Sequence, residues 1–218
     1  MTKIITRFAP SPTGNLHVGS ARTALLNFVV SQQNLNSKLY LRIEDTDKKR
    51  SKKEFKENII DGLKWLGIKW EEDVQIQSER IKRHQEIANL LLEKKYAYKC
   101  ICSEEKLNKK RELIKSNKNA SKKICRECKN DNEIQSLSKD FVIRIKLPDE
   151  GELKINDSVQ GEIVVKNKEI DDFILLRKDK SPTYMLSVVV DDNDLGVNFI
   201  IRGDDHLNNV FRQYYIYK

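Results

Sequence analysis

At 218 residues the chain is long enough to bury a substantial core, as one large domain or two small ones. Its 41 Lys and Arg against 33 Asp and Glu leave a formal net charge of +8, which suits an RNA partner and follows equally from a Lys/Asn/Ile-rich genome, so charge alone chooses no function. No apolar run approaches the ~20 residues that span a bilayer and the N-terminus has no signal-peptide pattern; the expectation is a cytoplasmic protein with no membrane partner.

Ile4 to Phe8 reads as a strand, and the helix after it, with Val18, Ala21, Leu25 and Phe28 at helical spacing, runs to about Gln33. Between them Pro10 and Pro12 stiffen the strand exit, and Gly14 and Gly19 let a ligand approach the backbone. A helix N-terminus following His17 offers unpaired N–H groups to an anion such as a nucleotide phosphate. Leu39, Leu41 and Ile43 alternate with Lys38, Tyr40 and Arg42 as a second strand. It runs into Glu44, Asp45 and Asp47, at the edge where open α/β sheets bind ligands. Ser51 and Glu54 predict a capping box, and Phe55, Ile59, Leu63 and Leu66 the buried face of a helix closed by Gly67. The next helix, about Glu79 to Lys94, turns Ile81, Ile87, Leu90 and Leu91 inward. This alternation predicts βαβ units and a parallel sheet.

From Tyr98 to about Ile170 the alternation breaks down, although Phe141–Leu147 and Gly161–Val165 read as strands. Cys100 and Cys102 form C-x-C, and Cys125 and Cys128 form C-x-x-C. Four thiolates could close a tetrahedral structural zinc site; the alternative is four free thiols. Lys106, Lys109, Lys110, Arg111, Lys115, Lys118, Lys122 and Lys123 surround this excursion. They form either a phosphate-contacting patch or a solvated helix face, and no single lysine stands out. From Asp171 the core pattern resumes with Phe173–Arg177, Pro182–Asp192 and a predicted strand Asn198–Arg202, before Gly203–Asn209 opens a last helix. Arg7 and Arg202 then stand at the ends of two predicted parallel strands, each able to grip a carboxylate bidentately, with Glu44 able to pair with an ammonium.

A-P-S-P-T-G followed by H-V-G-S resembles the first ATP-binding motif of class I aminoacyl-tRNA synthetases, in the glutamyl form, with Ser20 where the common H-I-G-H pattern has a second histidine. R-I-E-D-T-D, G-L-K-W-L-G-I-K-W-E-E, Q-S-E-R, P-T-Y…V-D-D and I-R-G-D-D-H-L-N-N follow in the order of the glutamyl family; the resemblance is weakest across Lys106 to Ser138. It implies an α/β fold: a class I synthetase Rossmann-like parallel sheet from 1–98 and 171–218, with an inserted α+β domain at 99–170 that binds the tRNA acceptor stem. It also implies a glutamate pocket of Arg7, Ala9, Ser11, Glu44, Tyr184 and Arg202, and an ATP site of Gly14, His17, Gly19, Ser20, Asp205 and His206, in which His17, Gly19 and Ser20 meet the phosphates. A structural zinc on Cys100, Cys102, Cys125 and Cys128 has a parallel in some members. The implied reaction joins glutamate to tRNA(Glu) through glutamyl-adenylate, with ATP and Mg2+ as co-substrate, in a cytoplasmic monomer. The second ATP-binding motif, a K-M-S-K-S-like loop, does not occur before Lys218, so the expectation is an N-terminal portion truncated before it and unable to turn over alone. Two alternatives are a glutamyl-queuosine tRNA(Asp) synthetase, against which Thr46 and D-H-L-N-N argue, and a catalytically silent tRNA-binding fragment.

Overall fold

A computed structural model describes residues 3–116, 121–125 and 127–218; Lys118 of the lysine-rich excursion lies outside the described residues. In chain order the elements are β1 (Ile5–Phe8), α1 (Val18–Ser31), β2 (Lys38–Ile43), α2 (Lys53–Trp65), β3 (Glu71–Ile76), α3 (Ile81–Glu93), β4 (Ala97–Cys100), α4 (Glu104–Ser116), α5 (Asn132–Ser136), β5 (Val142–Ile145), β6 (Glu152–Asp157), β7 (Gly161–Lys166), β8 (Ile174–Leu176), α6 (Tyr184–Asp194) and α7 (Leu207–Tyr217). They pack as two units, 1–82 with 190–206, and 83–189 with 207–218. The expected functional division at 98/99 and 170/171 follows recognition motifs, whereas packing divides the chain at 82/83, 189/190 and 206/207.

The first unit holds the expected parallel sheet, in the order β1-β2-β3. Its middle strand, β2, buries not only Leu39, Leu41 and Ile43 but also Tyr40 and Arg42, because a central parallel strand is covered on both faces. Phe8, Ala24, Leu39, Leu41, Ile43, Ile59, Leu63 and Ile68 form its core. Gly67, at φ 71°, ends α2 as expected: the Ile68 N–H donates to the Leu63 carbonyl at 3.0 Å and the Gly67 N–H to Lys64 at 2.9 Å. The expected capping box does not form. Lys52 takes the N-cap position without a side-chain bond, its N–H donating to the Pro12 carbonyl at 3.0 Å, and Leu66 is exposed.

The inward face of α1 differs from its apolar stripe: Ala24, Asn27 and Ser31 are buried, whereas Val18 and Leu25 are exposed. The cause is hydrogen bonding to neighbouring chain. The Asn27 carboxamide donates to Ile201 O at 3.3 Å and to Thr23 O at 2.9 Å, and the Asn27 carbonyl accepts from the Thr6 hydroxyl at 3.1 Å. Residues 198–202 form no strand. The N–H groups of Asn198 and Phe199 both donate to Ile5 O, while the Asn198 carboxamide accepts from Ile5 N–H at 2.8 Å and donates to Lys3 O at 2.9 Å. A side chain has replaced rungs of the ladder, so Arg202 does not stand at the end of a parallel strand. Glu71–Ile76 has four polar residues and no strand signal, yet forms the edge strand β3.

The second unit contains an antiparallel sheet, β4-β5-β8, and the β6-β7 hairpin. The two strands expected near Phe141 and Gly161 are present as β5 and β7. The run at 173–177 becomes β8 and joins β5 antiparallel, not a parallel sheet. In α3 the fully buried positions are His84 and Ala88, and Leu90 is exposed.

Candidate active site

The loop from Ala9 to His17 is pinned at several points. Glu44 N–H donates to Pro10 O at 3.0 Å, and Leu16 N–H to Asn58 Oδ1 at 2.9 Å. The Leu16 side chain lies where a Cβ on Gly62 would stand, only 2.7 Å from its Cδ2. This delivers His17 to the N-cap of α1. There the His17 N–H donates to Ser20 Oγ at 3.1 Å, and Ser20 N–H donates to His17 Nδ1 at 3.4 Å, a reciprocal box built from histidine and serine. With Nδ1 accepting, the neutral ring carries its proton on Nε2, which is left to donate. A Cβ on Gly19 would lie 3.3 Å from the His17 ring, so this glycine makes room for the histidine rather than directly for a ligand. A Cβ on Gly14 would meet nothing within 4 Å, so the backbone there is open to a ligand.

At the carboxyl ends of β1 and β2 lies a buried charge network. Arg7 Nε donates to both oxygens of Asp192, at 3.2 and 3.3 Å. Arg42, fully buried, places Nη1 2.5 Å from Asp192 Oδ1 and Nη2 3.0 Å from Glu44 Oε1. Asp191 accepts from Gln77 Nε2 at 2.9 Å and from Arg80 Nε at 2.7 Å, and Arg80 also bonds Asp194. Burial works against the charge of Arg42, but Asp192, Glu44 and Asp191 outweigh it and hold the guanidinium protonated. Burial pushes the Glu44 carboxyl up, against the pull of Arg42. Two openings remain among the described residues: the terminal nitrogens of Arg7 and Oε2 of Glu44 make no hydrogen bond.

Of the residues expected in the glutamate pocket, Arg7, Ala9, Ser11 and Glu44 lie in the first unit with this network, and Arg202 is half-buried in the same unit. Tyr184 opens α6 in the second unit. Asp205 and His206 contact each other, with Oδ2 3.5 Å from Nε2. Sequence reasoning missed Arg42, Gln77, Arg80, Asp191 and Asp192 as a network. The signal available was a pair of adjacent carboxylates directly after the apolar run Val188–Val190, an arrangement that needs buried cations.

In the second unit, Cys100, Cys102, Cys125 and Cys128 converge, their sulfurs all within 4.8 Å of one another and three pairs at 3.4, 3.5 and 3.6 Å. Four thiolates on zinc at 2.3 Å stand about 3.8 Å apart in a tetrahedron, so the donor set fits that metal. A buried polar cluster backs it. Tyr98 OH donates to Cys125 O at 2.9 Å and to Asp172 at 3.3 Å, and Arg144 Nη1 donates to Asp172 O at 2.9 Å. Lys123, counted with the charged excursion, is buried: its ammonium donates to Leu147 O at 2.7 Å and Pro148 O at 2.6 Å and pairs with Asp149. Lys106 and Lys110 are paired with Glu127, which they pull down to about 2, and Lys109 is paired with Glu105. Lys115 and Lys122 are exposed.

The family model for the catalytic domain of class I tRNA synthetases (E and Q) matches residues 3–218. Glutamate–tRNA ligase 2 of Rickettsia prowazekii is 51% identical over 219 residues, covering all of this chain and 46% of the relative. Glutamate–tRNA ligase 1 of Erythrobacter litoralis is 49% identical over 216 residues, covering 99% of this chain and 45% of the relative. The crystal structure of a glutamate–tRNA ligase from Elizabethkingia meningosepticum in complex with its amino acid superposes with a TM-score of 0.80 at 28% identity, covering 99% of this chain and 47% of that one. The chain thus spans less than half the length of these relatives. Its matched residues, from the strand before the capped helix to the end of α7, make it a member of the class I glutamyl/glutaminyl-tRNA synthetase family, within the catalytic domain.

Proposed function

We propose that this chain forms the glutamate-activating site of a glutamate–tRNA ligase. The reaction is attack of the glutamate α-carboxylate on the ATP α-phosphate, giving glutamyl-adenylate and pyrophosphate, before transfer of the glutamyl group to a terminal hydroxyl of tRNA(Glu). The observation that carries this reading is the pair of openings in the buried network. Arg7 is anchored through Nε and Glu44 through Oε1, so each has its other side available, one for a carboxylate and one for an ammonium. Arg202 is the second carboxylate partner, Tyr184 supplies a hydroxyl, and Ala9 and Ser11 line the loop. The ATP phosphates, with their Mg2+, meet the α1 N-terminus at His17, Gly19 and Ser20, near Gly14; Asp205 and His206 lie toward the nucleotide. Positioning and charge stabilisation carry such chemistry, and no covalent nucleophile is needed.

Residues 99–170 bind the acceptor end in this reading, with Cys100, Cys102, Cys125 and Cys128 holding a structural zinc that ties Cys100–Cys102 to Cys125–Cys128. Metal analysis of chain purified without chelator should find about one zinc per chain; absence of zinc refutes the metal. No described helix is long and apolar enough to cross a membrane; in this reading the protein works in the cytoplasm, as a monomer. Glutamate-dependent ATP–pyrophosphate exchange, measured with and without tRNA(Glu), tests the function. Exchange or tight binding of a glutamyl-adenylate analogue supports it, and absence of both in folded protein overturns it.

A further inference from the structure

We infer that Asp192 is the positioning residue of the glutamate site, setting both its anion-binding and its ammonium-binding group without touching the substrate; this rests on the proposed glutamate reading. Asp192 has no exposed surface, and α6 supplies it at its C-terminal end. That end is itself held: Val197 N–H donates to the Asp192 carbonyl at 2.9 Å and Gly196, at φ 66°, closes the helix. The neighbouring Asp191 is locked by Gln77 and Arg80. From this fixed point the carboxylate reaches two strands. On β1 it takes Arg7 through Nε alone, which fixes the plane of the guanidinium and leaves the terminal fork unused. On β2 it takes Arg42 through Nη1, and Arg42 in turn holds Glu44 Oε1 with Nη2 at 3.0 Å and Nε at 3.4 Å.

Arg42 is wholly enclosed and its bonds run to carboxylates of the protein, so it relays position rather than binding substrate. Asp192 is therefore the only residue of the network bonded to both Arg7 and the partner of Glu44 among the described residues. Two opposite charges of a site for an amino acid with two carboxylates are then set relative to each other by one carboxylate. Replacing its charge while keeping its shape should loosen both at once.

The test is calorimetric titration of the whole 218-residue chain with a non-hydrolysable glutamyl-adenylate analogue and, separately, with ATP. Asp192→Asn should weaken the glutamyl analogue roughly tenfold or more while leaving ATP within about twofold, with thermal unfolding still cooperative. A purely structural role would weaken both ligands alike, and unchanged analogue affinity in the folded variant would also overturn the assignment. In a cycle with Arg7→Lys, the second change should cost much less in the Asp192→Asn background than in the native one; full additivity argues against positioning. If Asp192→Asn does not fold, the native chain still decides: the Arg7 Nε–H resonance, assigned by its loss in Arg7→Lys, should exchange slowly and remain protected when the analogue binds. Rapid exchange sinks the proposal. A native chain that binds ATP but not the analogue overturns the glutamate reading itself, and this inference with it.

Discussion

Each unit of the chain encloses a cluster of charged and polar side chains, and the two clusters are finished differently. In the second unit Lys123 bonds two main-chain carbonyls and an aspartate, while Asp172 accepts from a backbone N–H and a tyrosine. Apart from Arg144 Nε, which is enclosed without a partner, these groups end on protein atoms, as in a cluster whose task is to shape the chain around four cysteines. In the first unit the guanidinium of Arg7 and the carboxyl of Glu44 are each anchored on one side only. Buried charge is costly unless paired, so a cluster left partly open is where a ligand of complementary charge gains most. The contrast separates scaffold from site without reference to any motif.

The contrast can be broken most forcefully at Lys123. The Lys123 ammonium also lies 3.7 Å from the buried Asp172 carboxylate, so Lys123→Met removes the nearest cation from it and should lower stability by about 3–5 kcal/mol in chemical denaturation, with the affinity for a glutamyl-adenylate analogue unchanged. Arg7→Ala should do the reverse. Asp192 keeps Arg42, so unfolding should shift little, while glutamate-dependent adenylate formation, measured in an otherwise complete enzyme, falls by roughly 10²–10³-fold; unchanged adenylate formation would remove Arg7 from the site. A smaller effect is expected with pH. Burial raises the Glu44 carboxyl above its ordinary range, so the folded state favours the protonated form, and its ionisation opposes folding as pH rises through that window. Ammonium binding needs the ionised form, so glutamate affinity should rise with pH across the same window, and Glu44→Gln should flatten the profile; a native profile already flat would contradict the role. Least of all, Gly19→Ala should push the His17 ring by a few tenths of an ångström and weaken ATP roughly three- to fivefold with glutamate binding intact, as titration of each ligand would show.

Much of the first unit was legible because its information is local. The extended run Ile4–Phe8, a Pro- and Gly-bearing loop and apolar residues at helical spacing spell β1, the loop and α1, and the run Lys38–Ile43 becomes β2 with the same bounds. The two cysteine pairs could be read as one cluster because metal-ligand spacing is itself a local pattern. Illegible were the features set by distant chain. Asn27 lies inward on α1 because Ile201 and Thr6 are there to bond it, and Ser51 yields the α2 cap because Pro12 offers a carbonyl to Lys52. Residues 198–202 miss becoming a strand because one asparagine side chain takes over the bonds to β1.

The sequence by itself determined Arg7 and Glu44 at the carboxyl ends of the first two strands, the helix that begins after His17, and the four thiols. Hydrogen bonding and periodicity over a few residues suffice for these. Only the tertiary structure decided that Asp192, 185 residues after Arg7 and 150 after Arg42, is the group that orients both. An ion pair across such separations leaves no periodic trace in the chain, since its strength comes from the burial that folding creates.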